Sequence, residues 1–154
     1  MNQTFENCTL LDTKTWFQKA RPNTTEKDFQ SQIGVHFEEV TEMLDQISGN
    51  AEAVSAIMDA RRAMKKLADL CKGQKAAIVV LNEVELLDSI CDQIVTGTGV
   101  SHCRGHDIVG AMTEVNRSNF SKFGADGKPL YNEDGKVIKS NLYSSPVLSP
   151  YVPC

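Results

Sequence analysis

The sequence has no CxxC pair, no excess of basic residues, few aromatics and no apolar run near the roughly 20 residues of a membrane span. Each absence removes a class of protein. Five cysteines (Cys8, Cys71, Cys91, Cys103 and Cys154) are scattered and odd in number, which argues against a disulfide framework and for reduced thiols in a cytoplasm. Cys71 and Cys91 lie among apolar residues at helical spacing and are expected as small core side chains. Aromatics make up only 6%, so the core must come from Leu, Ile, Val, Ala and Met. Without a membrane-length run, the chain is expected to be soluble, and its start, MNQTFENCTL, lacks the basic and apolar regions of a signal peptide. Sixteen Lys and Arg against twenty Asp and Glu leave a net charge of −4, which argues against a grip on a nucleic-acid polymer. What is present is enough for a real core: 154 residues, 41% of them apolar, without internal repeats or low-complexity tracts.

Apolar periodicity predicts helices over most of the chain. A first helix, capped near Asp12 or Thr13, carries Trp16 and Phe17 and stops before Arg21-Pro22. Thr25 with Asp28 three residues later reads as a helix start. The helix it opens extends to about Ile47, with Ile33, Phe37, Val40, Leu44 and Ile47 along one stripe. Asn50 caps a third helix that reaches Cys71 and stops at Gly73. The run AAIVVL, 76–81, is compatible with either a strand or a buried helix. Asn82 opens a fourth helix bearing Leu86, Leu87, Ile90, Cys91, Ile94 and Val95, in which Gly97 and Gly99 suggest close packing against a neighbouring backbone. Gly105 ends it, and Asp107 caps a last helix reaching Phe123. Beyond Gly124, DGKPLY and EDGKVIKS flank a turn at Asn132–Gly135 and read as a small hairpin. The tail holds Pro146, Pro150 and Pro153, and is expected as an extended arm on a neighbour, or disordered, rather than core. The expected fold is all-α: a bundle of four to five helices over residues 1–124, with a hairpin and arm over 125–154 in the same domain.

The net charge conceals an alternation. Residues 26–59 carry Glu26, Asp28, Glu38, Glu39, Glu42, Asp45, Glu52 and Asp59 against Lys27 alone. Residues 61–75 reverse the sign, with Arg61, Arg62, Lys65, Lys66, Lys72 and Lys75 against Asp69. Residues 83–92 are acidic again, with Glu83, Glu85, Asp88 and Asp92. Glu38, Glu39 and Glu42 share one side of the second helix, and Glu85, Asp88 and Asp92 one side of the fourth. Such runs are commonly solvated faces, yet neither cluster has a Lys or Arg at i±4 to offset its repulsion. A hard divalent cation would turn that repulsion into a site, with carboxylates, water and substrate phosphates as ligands.

At this point the residues resemble a family. EEVTE at Glu38–Glu42, LLDSICDQIV at Leu86–Val95 and the long EVNRSNFSKFGADGKPLYNEDGKVIKS at Glu114–Ser140 look like the all-α nucleoside triphosphate pyrophosphatases. Those include the MazG-like and phosphoribosyl-ATP pyrophosphohydrolase-like proteins, and the match is to their phage type. The resemblance runs from about Phe29 to Ser140. It implies hydrolysis of a nucleoside triphosphate to the monophosphate and pyrophosphate with Mg²⁺ or Mn²⁺. It also implies a homodimer or homotetramer. Carried over by position, Glu39 and Glu42 are metal ligands, and Glu38 holds a second ion or acts as the catalytic base on the attacking water. Asp92 matches the aspartate of the second acidic motif. The glutamate usual three residues earlier is Ser89 here, so Asp88, or Glu85, is the substitute partner of Asp92. The interval between the two acidic motifs also exceeds that of compact members.

The resemblance further implies that Asn116, Asn119 and Lys122, at steps of three, look toward the triphosphate, with Lys128 able to close over it. Lys122 would neutralise phosphate charge and Asn119 would donate a hydrogen bond. Arg117, offset around the helix, is expected to pair with an acid or a neighbouring subunit. No Ser or Cys constellation suggests a covalent intermediate, and Thr96–Gly99 is no phosphate loop, since no lysine follows it. His102, Cys103 and His106 lack a fourth ligand at a recognisable zinc spacing. His36 is expected as a packed or capping histidine, and Trp16 as core or a subunit contact. A phage-type enzyme would act in nucleotide-pool control, on dGTP, dCTP or dUTP for example. The competing readings are a non-enzymatic helical module whose acidic faces bind a basic partner, and a phosphoribosyl-ATP pyrophosphohydrolase.

Overall fold

The computed structural model describes residues 9–133 and 135–153. Cys8, Cys154, Asp134 of the expected turn and most of the N-terminal decapeptide lie outside the described residues. Among those described, five helices and a two-stranded antiparallel hairpin make an all-α fold, as expected. The helices are α1 (Thr9–Ala20), α2 (Glu26–Leu44), α3 (Ala51–Lys72), α4 (Glu83–Cys103) and α5 (Ile108–Phe120). The strands are β1 (Leu130–Tyr131) and β2 (Val137–Ile138), and a short 3₁₀ turn follows at Ser149–Tyr151. No helix is long and apolar enough to cross a membrane. The chain groups into two compact units, residues 23–82 and the remainder.

The 23–82 unit is an antiparallel helical hairpin. Thr25 and Asp28 form a reciprocal capping box at the start of α2, which satisfies two of its orphan N–H groups. The helix ends at Leu44 instead of continuing to Ile47, because Gln46 N–H bonds back to Met43 in a tighter turn. Asn50 caps α3 by accepting from Ala53 N–H, and Gly73 closes it. The two helices meet at small residues. A Cβ on Gly34 would lie 2.8 Å from the Ala68 carbonyl oxygen and 3.0 Å from Cys71 Cβ. Ala68 and Cys71 are completely buried, and Thr41 nearly so. AAIVVL forms neither helix nor strand, and Val79 and Leu81 are 72% and 95% exposed.

In the other unit, α1 packs on α5 through Trp16, whose ring stacks on Phe123 with centroids 5.9 Å apart while its indole N–H donates to Asn119 O at 2.9 Å. Trp16 is therefore a packing residue. The hairpin pairs Leu130 with Ile138 and Tyr131 with Val137, and Tyr131 donates its hydroxyl to Ala20 O. Gly135, at φ 72°, closes the turn with a bond to Asn132 O. α5 ends at Phe120, short of Phe123, and successive i→i+3 bonds at Lys122 and Phe123 tighten its exit.

Three expectations meet a different outcome within the described chain. Over 144–153 the proline-containing tail is an exposed, extended arm outside the core, as expected, but it takes partners within its own chain. It lies back on α5 of its own chain: Ser144 N–H bonds Ser121 Oγ, Val147 N–H bonds Glu114, and Asp107 N–H bonds Tyr151 O. An extended strand cannot bond to itself, so the N–H groups and carbonyls between its prolines take partners from α5 and its flanks. Gly110 leaves room for the Tyr151 ring, since a Cβ there would fall 2.6 Å from Cε1. At Gly97 and Gly99 a Cβ would meet nothing within 4 Å, so no backbone of the described residues packs on them. Cys91 likewise is exposed and not a core side chain, while Cys71 is buried as expected.

Candidate functional site

The EEVTE residues occupy about one and a half turns of α2, which packs on α3. Glu38 is half-buried, and its carboxylate accepts from Lys72 Nζ and, at 3.3 Å, from Lys65 Nζ. The Lys72 hydrogen bond, with help from Lys65, holds the Glu38 carboxyl below the usual carboxylate range. Glu38 is thus already compensated by α3, contrary to the expectation of an unpaired cluster. The missing i±4 cation comes from the antiparallel helix. Asp45 is paired in the same way by Arg61. Glu39 and Glu42, three residues apart on α2, are both exposed.

The basic run of α3 also forms a feature that helical wheels do not show. Arg62, Lys65, Lys66 and Lys75, with Asp69 and Leu70, line a shallow depression of about 430 Å³. Lys65 belongs to both features, since it reaches Glu38 and walls the depression. Carboxylates and a basic recess therefore adjoin on one helical hairpin. The sequence signal for this recess is the sign reversal between residues 26–59 and 61–75, folded onto itself by the Gly49-Asn50 turn.

On α4, Glu85, Asp88 and Asp92 are all exposed. The structure places them within the second unit, on one side of a helix whose apolar residues occupy the other. On α5, the three residues at steps of three do not act alike. Asn116 is buried, donating to Thr9 O at 2.9 Å and accepting from Thr13 at 3.0 Å, so both ends of its amide are committed to α1. Asn119 and Lys122 come together: Lys122 Nζ donates to Asn119 Oδ1 at 2.8 Å and lies 5.6 Å from the Trp16 ring centroid. Lys122 stands in the turn after α5, and Lys128 is exposed in the loop before β1. Arg117 pairs with Glu114 through two 2.7 Å bonds and donates to Ser145 O, so its expected acid partner is in its own chain.

Among the described residues, no three His, Cys, Asp or Glu side chains are grouped to hold a metal ion by themselves. Comparison with family models, curated proteins and solved structures returns no match.

Proposed function

We propose that the chain is a metal-dependent nucleotide pyrophosphohydrolase, cleaving a nucleoside triphosphate to the monophosphate and pyrophosphate. The observation that carries this reading is the junction of carboxylates and a basic recess on the α2–α3 hairpin. A triphosphate arrives with its divalent cation and needs both kinds of group. Mg²⁺ keeps several waters and takes as few as one or two protein carboxylates beside substrate phosphates, so Glu39 and Glu42 fit it without a preformed three-residue cage. The cation, when bound, supplies activation of water and neutralisation of phosphate charge.

The chain's own groups divide the remaining work. Glu39 and Glu42 hold the cation's protein side, while Lys65 and Lys66 receive phosphate charge as point cations. Glu38, as the base, must first be released by Lys72, and the incoming triphosphate offers Lys72 a stronger anion. In the other unit, Asp88 and Asp92 of α4 and Asn119, Lys122 and Lys128 are candidate metal ligands and phosphate contacts by the family resemblance alone. Asn116 instead fixes α1 to the helix that carries Asn119.

A second reading, a helical module binding a basic partner through acidic faces, is favoured by one observation. Glu38 and Asp45 already have cationic partners, so binding a basic chain resembles what α2 does with α3. Mn²⁺ titration followed by electron paramagnetic resonance, with a non-hydrolysable triphosphate present, separates the two. The enzyme reading expects binding that weakens by about 10-fold or more in Glu39→Gln and in Glu42→Gln. Binding unchanged in both variants contradicts it.

A further inference from the structure

The six cations of residues 61–75 differ in how far they are compensated. Arg61 is taken by Asp45 of α2, Arg62 by Asp59 at 3.3 Å, and Lys72 by Glu38. Lys65 is shared between Glu38 at 3.3 Å and Asp69 at 3.2 Å. Lys66 and Lys75 are exposed, and neither has an acidic partner among the described residues. Both line the depression of about 430 Å³, whose wall holds four cations and one acid, Asp69. The backbone brings Lys75 to that wall. Gln74 adopts a left-handed conformation at φ 54°, and its side-chain amide donates to Ser31 Oγ at 3.0 Å. Gln74 N–H bonds Cys71 O and Lys75 N–H bonds Leu70 O, which reverses the chain and returns Lys75 to the last turn of α3. Every residue of this arrangement belongs to the 23–82 unit, so its geometry stands on that unit alone.

We propose that the recess binds the phosphoric anhydride group without a metal ion, whether as inorganic pyrophosphate or as the end of a nucleoside triphosphate. Charge selects the ligand class. Two uncompensated lysines stand beside Lys65 and Arg62, and ammonium groups on flexible stems can converge on phosphate oxygens. Nothing else on the wall discriminates. Leu70 is its one uncharged member, so no aromatic ring stacks on a base and no hydroxyl or amide reads a sugar. The volume falls within the range of small-ligand sites, about 300–1,000 Å³. Glu38 and Asp59, each paired with a cation of the wall, would repel an extended polyanion running past it. A bound anhydride also competes with Glu38 for Lys65, so an occupied recess loosens one of the two bonds on that carboxylate. Anion recognition stands on the recess itself, whereas its service to substrate or departing pyrophosphate rests on the hydrolase reading above.

Calorimetric titration of the full chain with inorganic pyrophosphate, with a chelator present, tests it. The wild type is expected to bind pyrophosphate, and to bind adenosine monophosphate about 10-fold or more weakly. Lys66→Met and Lys75→Met should each weaken pyrophosphate binding about 10-fold or more, with unchanged circular dichroism because both side chains are exposed. Lys14→Met, the same loss of charge on exposed α1 surface, should leave binding unchanged. A wild type that binds no pyrophosphate overturns the proposal, as does monophosphate binding of equal strength. A loss in Lys14→Met equal to that in Lys66→Met also overturns it, since bulk charge would then suffice. Pyrophosphate binding of this kind in a chain that hydrolyses no triphosphate contradicts the hydrolase reading and upholds the recess. Hydrolysis without metal-free pyrophosphate binding does the reverse.

Discussion

Glu38 shows how far a single carboxylate can be read before its neighbours are known. As one letter in EEVTE it suggests a metal ligand or base, and in the fold it is the acceptor for two α3 lysines. Removing the nearer cation with Lys72→Met should raise the Glu38 carboxyl toward its ordinary pKa, observable by carbon-detected NMR titration, and an unmoved titration would contradict the pairing. Glu114 makes the same argument for the arm. Its carboxyl is pulled to about 2 by the Arg117 hydrogen bonds and then by Val147 N–H. A carboxyl depressed in the folded state stabilises above its ordinary value near 4.5 and loses that contribution as pH falls toward 2. The arm should therefore detach over that interval, seen as faster exchange of the Val147 amide. In Glu114→Gln this pH dependence should vanish, and persistence of it would show that another group holds the arm.

Elements were legible where their signals are local. The capping box at Thr25–Asp28, the Asn50 and Asp107 caps and the Gly73 stop need only a few neighbouring residues, and all stand where the pattern puts them. Glycine was not legible in this way, because its meaning depends on what faces it. Gly34, within the α2 stripe, is a close approach of α2 to α3. Gly97 and Gly99, which suggested such an approach, have open space above them. Gly34→Ala should then cost about 1–3 kcal/mol through overpacking against the Ala68 carbonyl. Gly99→Ala, on the polar side of α4, should gain up to about 1 kcal/mol of helix propensity. Urea denaturation of the two variants checks both signs, and destabilisation by Gly99→Ala would mean that a backbone does pack there. The partners of the proline arm were hidden for a related reason: its bonds go to α5 and its flanks, which no local window of residues 144–153 contains.

At the scale of the whole molecule, the all-α class followed from periodicity and composition, whereas the charge pattern needed the fold. The acid–base alternation along residues 26–75 is the imprint of an antiparallel hairpin, in which opposite signs become cross-helix partners. That same folding leaves Glu39 and Glu42 exposed on the helix whose Glu38 meets Lys65 of the basic recess, the arrangement on which the nucleotide reading stands. The Asn119–Lys122 pair was partly visible as a spacing, but Asn116 on the same spacing is bound into the α1 contact. Burial, which decides between those roles, is a property of the packed helices.

The most direct measurement is product analysis across the ribo- and deoxynucleoside triphosphates with Mg²⁺ or Mn²⁺, in wild type and Glu39→Gln. The account predicts equal amounts of monophosphate and pyrophosphate from at least one triphosphate, abolished by chelation and reduced about 100-fold or more in Glu39→Gln. No turnover of any triphosphate, or turnover that Glu39→Gln leaves intact, would contradict it.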